Sequence, residues 1–93
     1  MLHINWYLQI DKMGGITIVN NTADDIYVSV TQTGKDFGKG GSEDWYTLKA
    51  NGGTDTWGSR NEWQAIRYTK SQDPGAKVET ILGVPGKTVI IYY

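Results

Sequence analysis

The chain has 93 residues, which is enough for one domain and too few for two. Its charge is nearly balanced, with 9 Lys and Arg against 10 Asp and Glu, so it lacks the basic surface with which nucleic-acid binders neutralise phosphates. It contains no cysteine, which excludes disulfides and thiolate metal sites, and no apolar run approaches the roughly 18 residues of a membrane span.

Residues 2–10 alternate between apolar and polar side chains. A helix would scatter the apolar ones around its circumference, so the pattern predicts a half-buried strand. The segment has no basic start followed by an apolar run and a cleavage site, as a signal peptide would. We therefore expect a protein that is cytoplasmic or secreted without a visible signal peptide.

Seven further segments have strand composition, and glycine-rich or polar turns separate them. Their spacing of about 11 residues is typical of a sandwich or barrel. No segment shows a helical period with caps. We therefore predict a single all-β domain over residues 1–93, a small antiparallel β-sandwich of about eight short strands, with barrel-like closure as an alternative. The seven strands are expected at residues 16–19, 26–33, 45–49, 54–57, 63–69, 78–84 and 87–93.

Residues 14–30 (GGITIVNNTADDIYVSV) combine a short strand, an Asn/Thr turn and an alternating strand. This segment resembles the openings of small β-sandwich proteins, including the aegerolysin-like and actinoporin-like families. The resemblance implies a sandwich fold and assigns no residue a role. The same segment contains the glycosylation sequon Asn20-Asn21-Thr22, which matters only if the chain is secreted.

Three consecutive apolar residues, Val89, Ile90 and Ile91, mark the last predicted strand. A run of this kind indicates a strand that is covered on both faces or that pairs with another subunit. A homo-oligomer is therefore plausible.

Catalytic signals are weak. The one histidine, His3, has neither a cysteine nor a nucleophile-elbow motif to work with. The acidic pairs Asp24-Asp25 and Glu43-Asp44 are adjacent in sequence, and adjacent strand residues point to opposite faces. No His or Cys spacing indicates zinc, and the loop at residues 34–44 does not match a calcium loop. We expect no enzyme activity, no metal and no cofactor.

The aromatic residues carry the functional prediction. Three tryptophans lie at predicted strand ends beside Asn, Asp, Glu and Arg. An indole ring can stack on the apolar face of a sugar while carboxylates and amides bind its hydroxyls. The sequence therefore predicts a lectin-like, carbohydrate-binding module whose partner is a glycan or glycoprotein. Alternatively, these tryptophans close the ends of a thin core. The predicted ligand-binding residues are Trp45, Tyr46, Asp44, Trp57, Arg60, Asn61, Glu62 and Trp63.

Two other functions compete with this one. A protein-interaction or inhibitor module would insert the loop at residues 34–44 into a partner, with Phe37 as its anchor. A membrane-surface, pore-forming-like sandwich would use interfacial Trp and Tyr. The membrane is the less favoured partner because no basic patch attracts anionic lipid.

Overall fold

A computed structural model describes residues 14–33 and 42–92; within these ranges the chain forms seven β-strands and no helix, and so no helix that could cross a membrane. Each strand coincides with a predicted one to within a few residues at its ends. The predicted strand at residues 2–10 and most of the 34–44 loop, with Phe37, lie outside the described residues. The strands are β1 (Ile16–Asn20), β2 (Ile26–Val30), β3 (Tyr46–Leu48), β4 (Gly53–Trp57), β5 (Gln64–Thr69), β6 (Glu79–Gly83) and β7 (Thr88–Ile91).

The strands form two sheets that pack as a small sandwich, which confirms the predicted fold. One sheet has three strands in the order β4-β1-β7, and the other has four in the order β3-β2-β5-β6. All neighbours are antiparallel except β1 and β7, which run parallel with Thr17 opposite Thr88. The described sandwich thus has seven strands and one parallel pair, whereas the sequence predicted about eight strands, all antiparallel. The parallel pair could not be predicted, because alternation fixes which face a side chain takes and says nothing about strand direction.

Two-residue alternation builds the core. In β1, Ile16 and Ile18 are fully buried, and the alternate residues Thr17 and Val19 are only partly buried. In β2, the buried residues Val28 and Val30 continue the same inner layer from the opposite sheet. The remaining core residues are Ile26, Leu48, Trp57, Ile66, Tyr68, Ile81, Val89 and Ile91.

Strand β7 contains the apolar run that was predicted to be covered on both faces or to pair with another subunit. Val89 and Ile91 are fully buried in the core, whereas Ile90, on the other face, is only partly covered. Both Val89 and Ile90 pair with β1, opposite Ile18 and Val19. Pairing with another subunit stays a prediction.

The turn between β1 and β2 is organised by a buried asparagine. Asn20 is completely buried, and its Nδ2 donates to the carbonyls of Asp24, Leu48 and Lys49 at 2.9, 2.9 and 3.1 Å. Its Oδ1 accepts from the backbone N–H and the hydroxyl of Thr22. The asparagine of the sequon is therefore used inside the fold, and the folded domain does not offer its amide for glycosylation.

The same corner holds an exposed carboxylate. The backbone N–H of Ala50 donates to Asp25 Oδ1 at 2.9 Å, and Lys49 Nζ lies 3.4 Å from Oδ2. The Ala50 hydrogen bond, with a smaller contribution from Lys49, lowers the pKa of Asp25 below its usual value. This carboxylate thus anchors the segment after β3 while it is ionised.

Gly53, the first residue of β4, has no room for a side chain. A Cβ atom there would lie 2.3 Å from the backbone oxygen of Lys49 and 2.6 Å from its nitrogen. We expect Gly53→Ala to lower the free energy of unfolding by at least about 2 kcal/mol, because backbone atoms cannot move aside as side chains do. Urea denaturation measures this loss. Gly58→Ala is the control, since its Cβ meets nothing within 4 Å, and an equal loss in both variants would contradict the argument.

Candidate functional site

A cleft opens along one side of the sandwich, where β3 and β4 form the free edges of their sheets. Tyr46 on β3 pairs with buried Val28, so its side chain points between the sheets. Asp55 on β4 pairs with buried Ile18 and points toward the same space. We call this opening the edge cleft.

The edge cleft has a volume of about 230 Å³ and an aromatic wall. Trp57 is buried, with 8% of its surface exposed, whereas Tyr46 is 40% exposed. The two rings meet edge to face, with centroids 6.0 Å apart and an interplanar angle of 78°. The buried ring of Trp57 therefore supports the ring of Tyr46, which is partly exposed to solvent.

Polar groups complete the lining. Asp55 Oδ1 accepts the backbone N–H of Thr56 at 2.7 Å, while its second oxygen accepts no hydrogen bond from the described residues. Ser42 and Ser59 add hydroxyl groups at the cleft wall. A ligand would thus meet a ring, a carboxylate oxygen and hydroxyls within one opening.

Arg60 closes the floor of the cleft and is only 1% exposed. Its Nε donates to the carbonyl of Thr31 at 2.8 Å, and its Nη2 donates to the carbonyls of Val30 and Ser42. These bonds fasten the segment before β3 to the end of β2. The guanidinium of this predicted ligand-binding residue is directed at the backbone, which gives Arg60 a role in holding the cleft's shape.

The other predicted residues do not line the edge cleft. Trp63 is 67% exposed on the loop before β5, and Asn61 and Glu62 are exposed beside it. Asp44 is exposed, and Trp45 lies on the outer face of the four-stranded sheet. Of the predicted set, the cleft therefore gathers Tyr46, Trp57 and Arg60.

Sequence reasoning missed Asp55 and Ser59. Asp55 stands two residues before Trp57 in a predicted strand, so the same alternation that buries Trp57 places Asp55 on the inner face. That signal was present in the sequence. Ser59 lies in the turn after β4, where no period applies.

Within residues 14–33 and 42–92, no group of three His, Cys, Asp or Glu side chains could hold a metal ion. The described residues that line the edge cleft offer a ring for stacking and oxygens for hydrogen bonding. Comparisons with protein-family models, with curated protein sequences and with solved structures found no match to this chain.

Proposed function

We propose that this domain is a non-enzymatic, lectin-like module that binds carbohydrate in the edge cleft. The observation that carries the proposal is the exposed ring of Tyr46 beside the carboxylate of Asp55. The apolar C–H face of a sugar stacks on such a ring, and its hydroxyls donate to the unpaired carboxylate oxygen.

The size of the cleft suits a small ligand. Its volume of about 230 Å³ lies below the roughly 300–1,000 Å³ of sites for drug-sized molecules, so it fits a single sugar ring at the end of a glycan. A ligand of that size binds weakly, with a dissociation constant on the order of 1 mM.

The arrangement of carboxylates favours binding over hydrolysis. Glycoside hydrolysis uses two carboxyl groups that flank the bond to be broken. Asp55 is the one carboxylate among the described residues that line the edge cleft. It can accept a hydrogen bond from a sugar hydroxyl, and none of the other described lining residues is a carboxylic acid.

We expect Tyr46→Ala and Asp55→Asn each to weaken sugar binding at least tenfold, which corresponds to about 1.4 kcal/mol. The first variant removes the stacking surface, and the second replaces a charged acceptor with a neutral amide. Amide-shift NMR titration with methyl glycosides of galactose, mannose and N-acetylglucosamine measures the affinity.

Two controls keep this test specific. Tyr46→Phe keeps the ring and should retain most of the affinity, while Trp63→Ala removes an exposed indole outside the cleft and should change nothing at Tyr46. No amide shift around Tyr46 and Asp55 with any of the three sugars would defeat the proposal. Binding that survives both Tyr46→Ala and Asp55→Asn would defeat it as well.

A further inference from the structure

Tyr46 and its neighbour Trp45 send their rings to opposite faces of one sheet, because consecutive residues of an extended chain point in opposite directions. Trp45 is 36% exposed. The guanidinium carbon of Arg67, on β5, lies 5.5 Å from the centroid of the Trp45 ring, within the range of a cation–π contact. Arg67 also donates to the hydroxyl of Ser29, on the strand between them. Trp45 is thus held in place on the outer face.

A second cavity, which we call the outer pocket, lies beside this ring. It has a volume of about 270 Å³, similar to that of the edge cleft. Residues of the loop at 70–77, which joins β5 to β6, form part of its wall. Its lining includes Trp45, Thr69, Ser71, Gln72, Asp73 and Val78.

The loop of the outer pocket is shaped by its own hydrogen bonds. Thr69 is almost fully buried, and its hydroxyl lies 2.8 Å from the carbonyl oxygens of both Ser71 and Lys77, near the two ends of the loop. The backbone N–H of Asp73 donates to Ser71 Oγ at 3.1 Å, and that of Ala76 donates to the carbonyl of Asp73 at 3.0 Å. The pocket therefore exists before any ligand arrives.

The polar side chains of this loop are available to a ligand. The carboxylate of Asp73 and the amide of Gln72 form no hydrogen bond within the described residues, and both line the pocket. The outer pocket therefore combines a partly exposed aromatic ring with an unpaired carboxylate and an unpaired amide. The edge cleft offers the same two kinds of group, the ring of Tyr46 and the carboxylate of Asp55. The outer pocket adds the amide of Gln72 to them.

We infer that the outer pocket is a second carbohydrate site, so that one chain binds two sugar rings; this inference rests on the proposed function. The two sites lie on opposite faces of β3, in a structure that measures 31 × 27 × 18 Å. Because the two pockets open on opposite faces of the sheet, we expect each to take a sugar ring from a different glycan. A single copy of the domain thus joins two separate glycans, and cross-linking does not require an oligomer.

The test counts sites on the folded chain. With the same three methyl glycosides, we expect two groups of amide shifts, one around Tyr46 and Asp55 and one around Trp45 and Asp73. Trp45→Ala should abolish the second group and leave the first unchanged. Gln72→Ala combined with Asp73→Asn should do the same, and serves as an independent variant if the tryptophan change disturbs β3.

Cross-linking provides the second readout. Vesicles that carry the sugar on a lipid anchor should clump with the wild-type chain, whereas Trp45→Ala and Tyr46→Ala should each bind vesicles without joining them. Trp63→Ala should clump them as well as the wild type does.

The amide shifts distinguish a failure of the second site from a failure of sugar binding in the edge cleft. Shifts at the edge cleft alone, unaffected by Trp45→Ala, would overturn the second site and leave the proposed function standing. Shifts at neither site would overturn both. Self-association of the chain that disappears in Trp45→Ala, measured by sedimentation in the absence of sugar, would also overturn the second site, because the outer pocket would then be a protein contact.

Discussion

Asn20→Ala is expected to lower the free energy of unfolding by about 2–4 kcal/mol, measured by urea denaturation. The substitution removes a side-chain amide that donates to the backbone carbonyls of Asp24, Leu48 and Lys49, which surround the β1–β2 turn. The carbonyl of Leu48, which this amide reaches in the interior, would be left buried without that donor. A buried acceptor without a partner costs more than the net value of the hydrogen bond it loses.

The neighbouring residue supplies the control. Asn21 is exposed, and its backbone N–H donates to the carbonyl of Ile91 at 2.8 Å, while its side chain forms no hydrogen bond with the described part of the chain. Asn21→Ala should therefore change the free energy of unfolding by less than about 0.5 kcal/mol. Similar losses in the two variants would show that the effect of position 20 comes from turn propensity and not from the buried amide.

In the variant Asn20→Asp, the loss in the free energy of unfolding should depend on pH. The introduced carboxylate would face the carbonyl oxygens of Asp24, Leu48 and Lys49, so burial and repulsion would raise its pKa in the folded state. When the pKa of a carboxyl group is higher in the folded state than in the unfolded state, the group does not destabilise the fold at a pH below its unfolded-state pKa, where it is protonated in both states. The free energy of unfolding then falls as the pH rises through the folded-state pKa. Relative to the wild type at each pH, this variant should be less destabilised near pH 4 than at pH 7.

Arg60→Met is expected to lower the free energy of unfolding by about 3–5 kcal/mol. Methionine fills much of the same buried volume, so the loss reports the missing donors to the carbonyls of Thr31, Val30 and Ser42. Urea denaturation measures the stability. The amide spectrum of the edge cleft shows whether the segment at Ser42 has detached from β2.

Two further variants separate geometry from charge. Arg60→Lys keeps the charge but not the planar fork that reaches both β2 and Ser42, so it should lose about half as much as Arg60→Met. Lys77→Met removes an exposed charge 3.0 Å from Glu79 and should cost less than about 0.5 kcal/mol. If Arg60→Lys were as stable as the wild type, charge and not donor geometry would hold this corner together.

Alternation predicted the strands well because it reports a local property. In β1 the buried residues follow the two-residue period that the sequence shows. In β2 the apolar residues Ile26, Val28 and Val30 follow it too, while Ser29 on the other face is also buried, which the period does not predict. Strand order and the parallel β1–β7 pair depend on contacts between distant residues. No local pattern encodes them.

The candidate site was predictable to a smaller extent. Tyr46 and Trp57 were identified from their composition and neighbours, but which rings share an opening depends on which strands become sheet edges. Arg60 illustrates the same limit, because its burial follows from three carbonyls that only the folded chain brings together. Asp55 could have been found by applying the alternation of β4 to its polar residues.

The parallel pair also has a consequence for how the domain folds. Strand β1 hydrogen-bonds to β7, so the middle strand of the three-stranded sheet receives its second neighbour from the opposite end of the described chain. Closing so large a loop costs entropy before any contact compensates for it. We expect refolding in the millisecond-to-second range, with the four-stranded antiparallel sheet, built from nearer neighbours, gaining structure first.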